Sequence, residues 1–141
     1  MKKIAMLLFA VGGFMVSCNS SKTMSPDKPV LSENDTIRIS NKDEEFDVVI
    51  FDPGFNSWFN TNARPRNFYT QNFLETRNRI WVTEWNNRAM QPQRYGDIYD
   101  FPINYNSTTD YGFEVNYMIF NYLTYFQIKY NQRLGPFVPR V

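Results

Sequence analysis

From Tyr111 to Leu134 the chain is apolar or aromatic on almost every side of a helix, and this stretch constrains the fold most. Val115, Ile119, Tyr122 and Phe126 recur along one face, and Phe113, Tyr117 and Phe120 along another. A helix that is apolar nearly all round must be wrapped by other elements, so a central core helix is expected over about 111–134. Asn116, Asn121, Thr124 and Gln127 interrupt the stretch, whereas a membrane span needs roughly 20 apolar residues. Arg133 in the last turn, then Gly135 and Pro136, supply the stop.

A second long helix is expected over about 67–90. Tyr69, Phe73 and Ile80 form one line, and Leu74, Trp81 and Trp85 the neighbouring one. Glu75 to Arg79 and Glu84 to Arg88 have the favourable spacing for helical ion pairs, and Pro92 ends the run. Phe55, Trp58 and Phe59 give a short helix or 3₁₀ turn after the Asp52-Pro53-Gly54 turn. Thr36–Ser40 and Phe46–Phe51 read as strands. Phe101, Ile103 and Tyr105 alternate with polar residues or Pro102, which predicts an edge strand. The expected class is therefore α+β: two long helices and a short one packed on a small two- or three-stranded sheet, as a single compact domain over 35–141.

Composition excludes several chemistries. The 141 residues include no histidine and one cysteine, with 15 Lys plus Arg against 14 Asp plus Glu, net +1. Without histidine there is no Ser–His–Asp triad, Cys–His pair or imidazole zinc site. One cysteine allows no internal disulfide. A net charge near zero argues against nucleic-acid binding driven by phosphate neutralisation.

Lys2 and Lys3 precede an apolar run, Ile4 to Val16, broken only by Gly12 and Gly13; its length suits a secretory signal over residues 1–17. The signal closes Met15-Val16-Ser17-Cys18, which resembles the bacterial lipobox, with Met15 in place of the more usual leucine. That resemblance implies lipidation at Cys18, whose thiolate is the nucleophile needed for a thioether. Two or three acyl chains, at about 0.8 kcal/mol per buried CH₂, would anchor the protein. Residues 18–34 are rich in Ser, Pro, Lys and Asn and too poor in apolar groups to repay ordering, so they are expected to be a flexible tether.

Phe51-Asp52-Pro53-Gly54-Phe55-Asn56, Arg64-Pro65-Arg66, Thr83 to Arg88, Gln91 to Tyr95 and Tyr130 to Gly135 together resemble a family of small envelope lipoproteins from Bacteroidota, recorded as a domain of unknown function. The resemblance covers about Glu45 to Val141 and the signal. It implies residence in the cell envelope, at the outer membrane, and carries over no catalytic residue, ligand or cofactor.

Candidate chemistry is sparse. The carboxylates Asp52, Glu75, Glu84, Asp97, Asp100, Asp110 and Glu114 show no spacing that singles out a pair for glycoside hydrolysis. Asp52 is expected to serve the turn or to cap the helix that follows. Asn104, Asn106, Thr108 and Asp110 faintly echo a calcium loop but lack its glycine and glutamate. Arg64, Arg66, Arg88 and Arg94 fall in or near two loops that could converge, and guanidinium groups grip carboxylates or phosphates. Trp58 and Tyr95, beside loops, are candidates for exposed rings. Asp35-Thr36-Ile37 resembles the short O-glycosylation motif of the same phylum, with Thr36 as acceptor. The expected function is non-enzymatic: a lipid-anchored protein, held at the membrane by its acyl chains, that acts through contact with another envelope protein. A module binding glycan or peptidoglycan through exposed aromatics and amides is the alternative.

Overall fold

The structure, a computed structural model, describes the backbone of residues 30–31, 36–41 and 46–141 and the side chains of Val48, Ile50 and residues 52–141. The signal, Cys18 and most of the expected tether lie outside the described residues.

Four helices make the body: α1 (Phe55–Asn62), α2 (Gln71–Ala89), α3 (Pro92–Tyr95) and α4 (Gly112–Lys129). From Asp52 to Val141 there is no strand and no sheet. The expectation of helices laid on a sheet is thereby corrected: this part is helical, and its core is helix against helix. Ahead of it, β1 (Val30–Leu31), β2 (Thr36–Asn41) and β3 (Phe46–Phe51) pair as an antiparallel ribbon. Val30–Leu31 belong to the span expected to be tether. Thr36 opens β2, and its side chain is outside the described set.

Helix α4 is the axis. Its residues from Val115 to Phe126 are buried except Tyr122, which is half-buried, and Gln127 is buried with them. Its polar side chains turn back onto their own helix: Asn116, Asn121 and Gln127 each donate to the carbonyl four residues earlier, at 2.8–3.0 Å. This satisfies amides that an apolar surrounding would otherwise penalise. The helix ends earlier than expected. Asn131 takes the left-handed conformation (φ 49°), and the Gln132 N–H reaches back to the Gln127 carbonyl (2.9 Å). That is a Schellman stop with Asn, not Gly135, in the special position.

Helix α2 presents Leu74, Asn78, Trp81, Val82 and Trp85 to α4. It begins at Gln71 and not at 67, because the Thr70 hydroxyl accepts from the Phe73 N–H (3.3 Å) as an N-cap; Arg66–Phe68 form a separate 3₁₀ turn. A polar pin joins the two helices inside the core. Asn78 Nδ2 donates to the carbonyl (2.9 Å) and side-chain oxygen (3.1 Å) of Asn116, which also accepts from the Tyr105 hydroxyl (2.8 Å).

The edge strand expected at Phe101–Tyr105 does not form. Side chains of α2 satisfy this backbone instead of a neighbouring strand. Trp85 Nε1 donates to the Phe101 carbonyl (2.9 Å), and the Asn86 amide both donates to the Ile103 carbonyl (2.9 Å) and accepts from its N–H (2.7 Å). Phe101 is left 80% exposed.

Candidate functional site: an arginine and aromatic groove

The sequence candidates do not converge on one place. Arg64 and Arg66 precede α2 while Arg88 closes it, so the two loops are separated by a helix of about 27 Å. Arg66 Nε donates to both carboxylate oxygens of Glu114 (2.7 and 2.9 Å), and its guanidinium lies 4.9 Å from the Tyr117 ring centre. The bond to Glu114 chiefly raises the Arg66 pKa. Arg88 is more fully engaged. Its Nε donates to Glu84 (2.7 Å), its Nη1 to the Tyr99 hydroxyl (2.9 Å) and Gln132 (3.2 Å), and its Nη2 to the Arg133 carbonyl (2.6 Å). Arg94 lies 5.2 Å from the Tyr95 ring centre. Tyr95 and Trp58 are half-buried against the core, and Trp58 packs on Phe55 and Tyr125.

Arg64 leads to a different site. It borders a groove of about 560 Å³ between the 64–73 segment, the outer face of α2 and the 136–140 segment. Phe73, Arg77 and Trp81 follow one another at four-residue spacing down α2, so they share a face. Phe120 of α4 forms the floor and stacks on Trp81, with ring centres 5.2 Å apart. Tyr69 stacks on Phe73 (5.4 Å). Burial raises the Tyr69 pKa, opposed by the charge of Arg64. The far wall is held in place by Leu134, which is fully buried and whose N–H donates to Gln127 Oε1 (2.8 Å). Gly135 follows with φ 135°, where a Cβ would meet Ile80 at 3.1 Å; glycine lets this segment run close against α2.

Charge in the groove is one-sided. Arg64, Arg77 and Arg140 line it, and no Asp or Glu side chain does. Arg64 Nη2 donates to the Val141 carbonyl (2.8 Å) and lies 4.4 Å from the Phe68 ring centre. Arg77 meets the face of Phe137 at 3.2 Å. Two donors in the wall, Arg77 Nη1 and the indole N–H of Trp81, are buried without a hydrogen-bond acceptor, and Trp81 is only 2% exposed. Buried donors of this kind cost free energy until an acceptor arrives.

The carboxylates of the body are elsewhere. Asp52 is not a cap: it is buried and accepts from Lys129 Nζ (2.7 Å) and the Tyr125 hydroxyl (3.0 Å), tying the start of α1 to α4. Glu75 takes Gln71 Nε2 as its partner (2.7 Å) in place of the expected Arg79. Glu84 and Glu114 hold Arg88 and Arg66. Asp110 accepts from Gln71 and from the Gly112 N–H, while Asp97 and Asp100 are exposed. In the loop with the calcium-like spacing, Asn106 Oδ1 accepts from Thr108 N–H and hydroxyl, which is turn chemistry. Among the described residues no group of three or more Asp, Glu, His or Cys could hold a metal ion. No helix among them is long and apolar enough to cross a membrane.

The family model described as a family of unknown function (DUF6146) matches residues 6–138, and the chain belongs to that family. No curated protein and no solved structure matches it. Of the groove residues, the sequence reading found only Arg64. The signal for the others was present: Arg77 lies between Phe73 and Trp81 with no acid four residues away on either side, unlike Arg79 and Arg88.

Proposed function

We propose that the protein is a lipid-anchored envelope protein, attached through Cys18 at the outer membrane, that acts without catalysis by holding another envelope protein against its helical body. The observation that carries this reading is the groove. It is lined by Arg64, Arg77 and Arg140 with no Asp or Glu side chain, while Glu75, Glu84, Glu114 and Asp52 are engaged in pairings that hold the fold together. The lipobox-like Met15 to Cys18 supports the anchor. The glycan alternative draws less support, because Trp58 and Tyr95 are half-buried against the core and offer no open platform.

In-cell cross-linking followed by mass spectrometry tests the contact. A reproducible protein neighbour is expected, and its absence would remove the reading. The anchor has its own check: Cys18→Ser should abolish acylation and shift the mature protein from the detergent phase to the aqueous phase.

A further inference from the structure

We propose that the groove recognises an acidic, aromatic-flanked peptide segment of the partner, with a carboxylate received at Arg77 and Trp81 and apolar side chains lying on Phe73, Phe68 and Tyr69. This rests on the contact reading above and adds its chemistry. Three observations converge on it.

The first is charge: three guanidinium groups and no Asp or Glu side chain line one groove, so an anion entering it meets attraction from all three. The second is unmet donor capacity. Arg77 Nη1 and Trp81 Nε1 both lack an acceptor in the same wall, and a carboxylate has two oxygens with lone pairs enough for both. A planar guanidinium matches a carboxylate in geometry as well as charge. The third is the exposed apolar surface beside these donors: Phe68 is 58% exposed, Val138 60% and Phe73 37%. A bare inorganic anion would leave those rings wet, whereas a peptide with apolar side chains next to its acid covers them. The 135–138 segment overlies the two donors, so the peptide enters by lifting Phe137 from the face of Arg77.

The probe is a fluorescently labelled, end-blocked peptide alternating phenylalanine with glutamate between glycine ends, compared with its glutamine analogue. Binding to the full chain is read by anisotropy. The glutamate peptide should bind about tenfold or more tightly than the glutamine one, as expected for charge-assisted recognition. Arg77→Gln should lose about tenfold, and Trp81→Phe, which keeps a ring but removes the N–H, roughly threefold or more. Arg79→Gln, on the same helix outside the groove, should bind within about twofold of wild type. Circular dichroism melts of each variant separate a lost site from a lost fold.

Equal affinity for the two peptides would overturn the proposal, as would undiminished binding in a folded Arg77→Gln variant. Capture by phosphatidylglycerol vesicles with no peptide binding would also overturn it, assigning the groove to a lipid surface. Cross-links that map a protein neighbour wholly outside the groove would overturn this assignment while leaving the contact reading standing. Peptide binding without any neighbour in cells would do the reverse.

Discussion

Arg88 and Arg77 are eleven residues apart on the same helix, and both lie against aromatic rings. They differ in what their N–H groups find. Arg88 is saturated, with Glu84, the Tyr99 hydroxyl, Gln132 and the Arg133 carbonyl gathered around it. Arg77 has a ring over its face and a buried N–H without an acceptor. The same side chain therefore serves two purposes. A saturated guanidinium binds chain segments to one another, here the end of α2, the 99 position and the turn after α4. An unsaturated one keeps donor capacity that nothing among the described residues uses.

The largest consequence should follow from breaking the saturated cluster. Arg88→Ala removes the partner of Glu84 and of three further acceptors, two of them partly buried. It should cost about 2–4 kcal/mol by urea denaturation, with a melting point lower by roughly 10 °C or more. A loss below about 1 kcal/mol would show that the cluster does not hold the fold. Next comes the polar pin. Asn116→Ala removes the acceptor of the Tyr105 hydroxyl and one of the two acceptors of Asn78, and should cost about 2–3 kcal/mol in the same assay.

Alkaline pH acts on both regions through their tyrosines. Burial raises the Tyr99 pKa in the saturated cluster and the Tyr69 pKa at the groove; burial, then the charge of Glu75, pushes Tyr105 up to about 12. From pH 10 upward the unfolded chain loses these protons while the folded one keeps them, so stability is full below pH 10 and declines as pH rises toward 12. Lys129 reinforces the trend: despite burial, its bond to Asp52 raises its pKa, and the pairing is lost only in strong base. Melts across the alkaline range, with tyrosinate absorbance followed in parallel, check the slope. Titration of Tyr69, Tyr99 or Tyr105 at pH 10 before any unfolding would contradict it.

Smaller effects are expected where the arginine is partly solvated or unpaired. Arg66→Ala removes a pair whose members are 39% and 26% exposed, and should cost about 1 kcal/mol or less. Arg77→Gln should change stability least, by about 0.5–1 kcal/mol from the lost ring contact. If Arg77→Gln proved as destabilising as Arg88→Ala, the contrast between the two sites would fail.

The sequence made the helices easier to read than their ends. The apolar circumference of α4 identified a core helix, and Pro92 marked the break after α2. The end of α4 was hidden, because Asn131 adopts a backbone conformation more often given to glycine, and Gly135 four residues later looked like the stronger stop. Thr70 capped α2 inside a stretch whose apolar lines continue upstream, so periodicity alone carried the helix too far. The alternation at Phe101–Tyr105 was real, but the partners of that backbone are Trp85 and Asn86, and nothing local reveals a side chain standing in for a strand. The groove was the least legible part. Its walls come from the 64–73 segment, α2, α4 and the 136–140 segment, which meet only in three dimensions. The locally visible cue, an arginine between two rings without an acid at helical spacing, was overshadowed by the four arginines in more conspicuous loops.

The anchoring of the last wall has a consequence for control. Leu134 is locked into the core, and Arg133 clamps the Gly135 and Pro136 carbonyls at 2.9 and 2.8 Å. Beyond Pro136, Phe137 lies half-buried over Arg77 and Val141 is held by Arg64. Proteolytic trimming after Pro136 would leave every helix in the chain. It would also take away Phe137, Val138 and Arg140 in one cut, unroofing the recognition surface.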